Sequence, residues 1–333
     1  MSILSSEMIW RQPQERSDAG SNGGRLTAVE SVTGVKNNIW PDVPQSERTA
    51  GSTKYRKVFI HIANDDDLTL IRSRVFIETF TPGDDSVTIF PGTQTDTESS
   101  ITGSEQQYGC GDLNADVLAA VTAVDVMTED SALDYFKDGM LVRISDKDDV
   151  DDATGNEEYV TLTADATYVG DVATLAFTPA LANAYAAADT RVSSVMEEGD
   201  IAAAYGSFVV TTAGDGDYDD TTYPILVDHI SGIEQSWTLT FTSSTAFDLV
   251  GDTLGAVGSG NTSSTLQPNN ADYSKPYFTM DAAGYSGTYA SGDTITFTTS
   301  PCAIPVWYKR IVPAGASSLS GDSVIVGIDG ESA

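Results

Sequence analysis

The chain has 333 residues, of which 40% are hydrophobic and 9% aromatic, enough to bury a core, and it carries a formal net charge of −32. The charge is uneven: residues 1–74 hold 10 of the 17 Lys and Arg against 9 acids, whereas residues 75–333 hold 7 against 40. A body this acidic repels nucleic-acid phosphates and anionic membrane surfaces, which argues against direct binding to either.

No apolar stretch reaches bilayer-spanning length as a helix. The start, Met1 to Gln12, lacks the basic and apolar regions of a secretory signal. Cys110 and Cys302 are the two cysteines, too few for a disulfide framework, and read as two thiols in a reducing compartment.

Residues 1–50 read as an extended N-terminal arm. They are rich in Ser, Gly, Asn, Gln and Pro, with the run Asp18-Ala-Gly-Ser-Asn-Gly-Gly24. Apolar residues gather only at Met8, Ile9 and Trp10 and at Ile39 and Trp40. A purely disordered tail has little use for two tryptophans. They suit a segment lying across a surface, of its own subunit or of the next.

Strand signals begin at Lys54. Val58, Ile60 and Ile62 fall on one side of a strand, and Phe59 and His61 on the other, so both faces carry apolar groups. Asn64 to Asp67 is a turn, Leu70 to Phe80 a second strand and Val87 to Phe90 a third. Such a meander predicts one sheet of a β-sandwich. Residues 93–112 are polar and read as a long loop.

Residues 126–199 read as a separate module. Ser131 begins a Ser-x-x-acid helix start and Gly139 marks a stop. Met140–Ile144, Glu158–Leu162, Val172–Phe177 and Arg191–Met196 are strands, and Pro179 to Tyr185 a helical turn. Short strands with tight turns predict a small β-barrel of about five strands, inserted into a host domain. Residues 200–333 return to longer strands; Trp237, Leu239 and Phe241 share one face, and Gly251 to Asn270 is a loop or projecting hairpin. The expectation is an all-β chain: arm 1–50, sandwich from 51–125 with 200–333, and barrel 126–199.

Catalytic signals are sparse. His61 sits in an apolar strand, and His229 beside Asp228 has its neighbour on the opposite strand face. Gly284-Tyr-Ser-Gly-Thr288 fails the nucleophile-elbow pattern at its last position. Gly214-Asp-Gly216 lacks the third glycine of a dinucleotide loop. Asp215, Asp217 and Asp219 alternate as calcium loops require, but the EF-hand template breaks at Asp220 and Leu226. Two solvated acidic turns are the plain reading, with a structural Ca²⁺ at these three residues as the second; no other cofactor is expected.

Five stretches carry a resemblance: Asn22-Gly-Gly-Arg25, Ser46-Glu-Arg-Thr-Ala-Gly51, Arg74-Val-Phe-Ile-Glu-Thr79, Thr81-Pro-Gly-Asp84 and Pro305-Val-Trp-Tyr-Lys-Arg-Ile-Val-Pro-Ala-Gly315. Through them the chain resembles virion structural proteins of tailed phages and prophages. The resemblance implies a non-enzymatic subunit of a neck, collar, tail or baseplate ring, assembled in the host cytoplasm. Its partners would be copies of itself, as a homo-oligomer, and other virion proteins. A capsid decoration protein and a receptor- or carbohydrate-binding adhesin using tyrosines 273–289 are the alternatives; glycoside hydrolysis is the weakest reading. The residues expected to dock on acidic neighbours are Trp10, Arg25, Trp40, Arg48, Lys54, Arg56 and Lys57. On that view, removing residues 1–50 abolishes oligomers and leaves the β-domains folded.

Overall fold

The computed structural model describes residues 2–333. Strands take up 46% of the chain and helix 5%, so the all-β expectation holds.

The chain opens with a hairpin of β1 (Met8–Glu15) and β2 (Gly23–Glu30). Gly23 has φ +109°, and a Cβ there would come within 2.9 Å of the Trp307 ring, so this turn demands glycine. The short helix α1 (Gln45–Ala50) leads into β3 (Ser52–Ile62), followed by β4 (Leu70–Thr79) and β5 (Ser86–Pro91). β1 pairs with β3, Met8 opposite Ile62 and Trp10 opposite Ile60. Met8 and Trp10 therefore face the same core as β3. Residues 8–30 are thus a sheet hairpin of this subunit and not the extended arm expected. The composition misled because the strand that β1 pairs with lies about fifty residues further on.

Next come β6 (Cys110–Leu113), β7 (Ala123–Thr128), β8 (Leu141–Ser145), β9 (Glu157–Leu162), β10 (Thr167–Val169), β11 (Val172–Thr178) and β12 (Arg191–Ile201). The order β12-β6-β7-β11-β9-β8 closes on itself through β8 and β12, giving a six-stranded barrel. β10 adds only to β11. Val126, Phe136, Ile144, Leu175 and Val192 fill the interior. The barrel starts at Cys110, earlier than the boundary at residue 126, because β6 and β7 are needed to close it. Alternating exposure along β7, with Val124, Val126 and Thr128 buried, fits a barrel wall. Ser131–Leu133 is one 3₁₀ turn, and no helix forms over Pro179 to Tyr185.

The strand β12 serves two structures. Arg191 to Ser194 pair with β8, and Val195 to Ile201 pair with β4. One continuous backbone therefore runs from the barrel wall into the body sheet.

Residues 204–300 build a third unit: β13 (Ala204–Thr211), β14 (Asp217–Tyr218), β15 (Gln235–Phe241), β16 (Ala246–Gly251), β17 (Gly255–Asn261), β18 (Asn269–Asn270), β19 (Lys275–Pro276), β20 (Tyr285–Ser286) and β21 (Thr294–Ser300). Its sheet runs β13-β21-β15-β16-β17 over a separate core of Trp237, Leu239, Phe241, Phe247, Phe278 and Ile295. This segment was expected to complete the host sandwich; it has enough aromatic volume to form its own core.

Only the last strands return to the body. β22 (Ala303–Val312) inserts between β3 and β5, and β23 (Ile325–Ser332) pairs with β4. The body is the five-stranded sheet β2-β1-β3-β22-β5 facing β23-β4-β12. Val58, Ile60, Val75, Ile77, Ile304 and Met196 from the two sheets share one buried cluster.

Candidate functional site

The inner face of the body sheet changes character along β3 and β22. Val58 opposite Val306 and Ile60 opposite Ile304 face the apolar core. Two residues further along, Arg56 lies opposite Tyr308, and then Lys54 opposite Arg310, on the same face by strand alternation. Three cations thus continue the core surface outward.

Trp40 covers them. The Arg56 guanidinium lies 5.0 Å and the Arg310 guanidinium 4.6 Å from its ring centroid. Each such contact contributes about 0.5–2 kcal/mol, more when desolvated. The Asp18 carboxylate accepts from Arg56 at 2.5 Å and Lys54 at 2.7 Å, and Glu47 accepts from Lys54 at 2.6 Å. The Lys54 hydrogen bond, with Arg56 beside it, holds Asp18 below the usual carboxylate range. Arg310 is 5% exposed; its nearest carboxylate is Glu47 at 4.0 Å, and its Nε and Nη2 have no hydrogen-bond partner.

Arg16 stands at the edge of this cluster. Its Nη2 donates to the carbonyls of Asn38 and, at 2.9 Å, Ile39. It has no ion pair among the described residues, and burial, with repulsion from Arg56, lowers its pKa. Arg16 lines an open cleft of about 440 Å³ with Gln12, Asn37, Ile39, Pro41 and Arg56. In a chain with 49 acids, this is an unneutralised positive spot.

Of the seven residues expected to dock on neighbours, Trp40, Lys54 and Arg56 meet here. Trp10 packs against the body core. Arg48 is half-buried on α1, and its carbonyl accepts from Gly315 N at 2.7 Å. Arg25 pairs with Asp252 of the third unit at 2.7 Å. Lys57 is 1% exposed and lies on the opposite face, so it is a buried clamp and not an exposed docking cation. Its ammonium donates to Asp96 Oδ1 at 2.6 Å and to the Gly24 carbonyl at 2.8 Å, and Trp307 Nε1 donates to the other Asp96 oxygen at 2.8 Å. Burial lowers the Lys57 pKa, and the Asp96 contact works against that. Arg16 and Arg310 were missed by sequence reading. The strand phase shared with Val306 and Tyr308 could have placed Arg310; nothing local could have placed Arg16.

The histidines lie at the junction of body and third unit. Arg11 Nε donates to His61 Nδ1 at 2.8 Å, so His61 Nε2 carries the proton and donates to the His229 carbonyl at 2.8 Å. Burial pushes His61 down to about 4. Asp215 Oδ1 accepts from Thr288 N and Asp219 Oδ1 from Thr222 N, each at 2.9 Å, while Asp217 pairs with Ser286 in β14. Among the described residues no three His, Cys, Asp or Glu side chains are grouped to hold a metal ion. Cys110 and Cys302 are free and buried.

The stretches carrying the phage resemblance come together in the body. Asn22 Nδ2 donates to the Tyr55 carbonyl at 2.9 Å, and Gly315 N reaches back to α1. Gly83 N donates to Asp322 at 3.2 Å, and Ser317 N to Asp84 at 2.7 Å. β22, which holds most of the last stretch, lies against β3 along its length. Compared with known proteins, the chain matches no family model, no curated protein and no solved structure.

Proposed function

We propose that this chain is a non-enzymatic structural subunit of a tailed-phage virion, assembling with copies of itself and other virion proteins into a ring or collar at the neck, tail or baseplate. The observation that supports this best is where the resembling stretches lie. All of them belong to the body, built from both ends of the chain, and the barrel and third unit project from it as separate cores. That organisation suits a repeated building block with a common platform and two outgrowths. We read the body, two sheets over one core, as the β-sandwich of such a platform.

Contact between copies falls to the cationic cleft in place of a free arm. Arg16, with Arg56 buried behind it, offers its guanidinium to a surface that, from residue 75 onward, holds 40 acids against 7 bases. A positive patch meeting a negative one elsewhere on an identical chain is a head-to-tail interface, which closes into a ring when the rotation allows.

Sedimentation velocity and negative-stain microscopy of the full-length protein test the reading. The expected result is a closed oligomer of one copy number that loosens as salt rises, because exposed charge contacts are screened. A monomer at every concentration and salt level overturns it.

A further inference from the structure

The body strands run between two ends of opposite character. At one end, where β1 stops and β3 begins, Arg16 stands beside Lys54, Arg56 and Arg310. Asp18 and Glu47 answer Lys54 and Arg56 there, and Glu15 is turned to the hydroxyls of Ser17 and Ser21, each at 3.0 Å. Arg16 commits only Nη2, to the carbonyls of Asn38 and Ile39. Its Nε and Nη1 have no partner among the described residues and, unlike the unpaired nitrogens of Arg310, are not sealed from solvent.

The other end, where β1 begins and β3 stops, is acidic. Ala63 N donates to the Glu7 carbonyl at 2.7 Å and Asn64 Nδ2 to the Glu7 carboxylate at 2.7 Å, which sets the exposed turn 65–67 beside the start of β1. Ser5 donates to Asp151 at 3.1 Å, which brings the barrel turn between β8 and β9 to the same place. Several of these acids are occupied: Asp65 pairs with Lys275 at 2.8 Å, and Asp67 accepts from His229 N at 2.8 Å. Arg72, near the start of β4, faces Glu331 at 3.4 Å. Asp66 and Asp149 are exposed and form no ion pair among the described residues.

The eight residues of β1 hold the two ends roughly 23 Å apart, at about 3.3 Å per step. That exceeds the screening length of about 8 Å at physiological salt, so the ends do not neutralise each other within one chain. A second copy can bring them together. Placed head to tail, its acidic end meets the cleft of the first, and each pair keeps one free end of each kind for the next copy. The shapes also suit: an open cleft of about 440 Å³ faces exposed turns.

We propose, resting on the reading of the cleft as the contact between copies, that the cleft at Arg16 receives the acidic end of a neighbouring copy. Asp66 and Asp149 of that copy supply the carboxylates, and copies follow one another along the direction of the body strands.

Sedimentation velocity of full-length variants at physiological salt tests it. Arg16→Glu and the double variant Asp66→Lys with Asp149→Lys should each weaken assembly by about tenfold or more, because each sets like charges against each other. An equimolar mixture of the two should assemble again, since every contact between unlike chains then joins opposite charges. The double variant changes only exposed turns, so it stays informative if Arg16→Glu loosens the loop at Asn38. Dispersal by Arg16→Glu with full assembly of the double variant overturns this choice of surface and leaves the assembly reading standing. Dispersal by both without recovery on mixing overturns it as well. A wild type that never assembles overturns both readings.

Discussion

The body and the third unit are both antiparallel sheets over a buried core, yet they are held by different forces. The third unit is contiguous in sequence, from Ala204 to Ser300, and packs aromatic on aromatic: Phe241 stacks on Tyr289 at 3.7 Å between centroids, and Phe278 meets Trp237 and Phe297 edge-on at 4.9 and 5.0 Å. Lys275 is its only Lys or Arg. The body joins strands from opposite ends of the chain and fastens them with charge. Lys57 and Asp96 clamp the N-terminal hairpin, and Arg56 with Lys54 holds the turn at Asp18. A segment that collapses locally needs only apolar volume. Strands brought together from far apart need contacts that also specify which ones meet, and in this chain basic residues mark those joints.

The most disruptive way to break this comparison is to delete residues 1–30. Because β1 pairs with β3, deletion strips a strand from the body and exposes the Val58–Ile62 edge. The expected product is aggregated or proteolysed, whereas an isolated third unit, residues 202–301, should fold and show near-ultraviolet aromatic dichroism. A soluble, cooperatively melting deletion variant would restore the arm.

Next in size is Lys57→Ala. It leaves Asp96 and the Gly24 carbonyl without their cation in a buried site, at a cost of roughly 3–5 kcal/mol. The urea midpoint should fall accordingly, with the hairpin amides losing hydrogen-exchange protection first. An unchanged midpoint would show that the clamp is dispensable.

Acid should loosen the junction between the two regions. His61 titrates near 4 when folded and near 6.5 when unfolded, so the unfolded chain takes up the proton first. Its contribution is intact above about pH 6.5, declines as pH falls from there to about 4, and levels off below, for a total of up to about 3 kcal/mol. Glu129 acts oppositely. Burial raises it to about 8, so stability is gained as pH falls from there toward the ordinary carboxylate range. The difference between wild type and His61→Gln in urea titrations isolates the histidine, and a pH-independent difference would remove it from the junction.

The smallest expected effect concerns calcium. Asp215 and Asp219 already accept backbone N–H groups, and melting curves with Ca²⁺ and with chelator should superimpose. A rise in Tm with calcium would instead give the third unit an ionic fastening of its own.

Much of the local structure was legible without coordinates. Strand period is a property of neighbours, so Val58, Ile60 and Ile62, or Trp237, Leu239 and Phe241, announce a buried face wherever they occur. The same holds for the barrel strands around Ile144, Leu162 and Leu175. The sequence by itself therefore determined that this is an all-β chain with a small barrel in its middle. What only the tertiary structure decided is partnership: that β1 lies on β3, that β22 returns across the whole chain to sit between β3 and β5, that β12 belongs to two sheets, and that Arg56 and Arg310 converge on Trp40. Backbone hydrogen bonds are the same for every pair of strands, so pairing is chosen by the summed fit of distant side chains, which no local window contains.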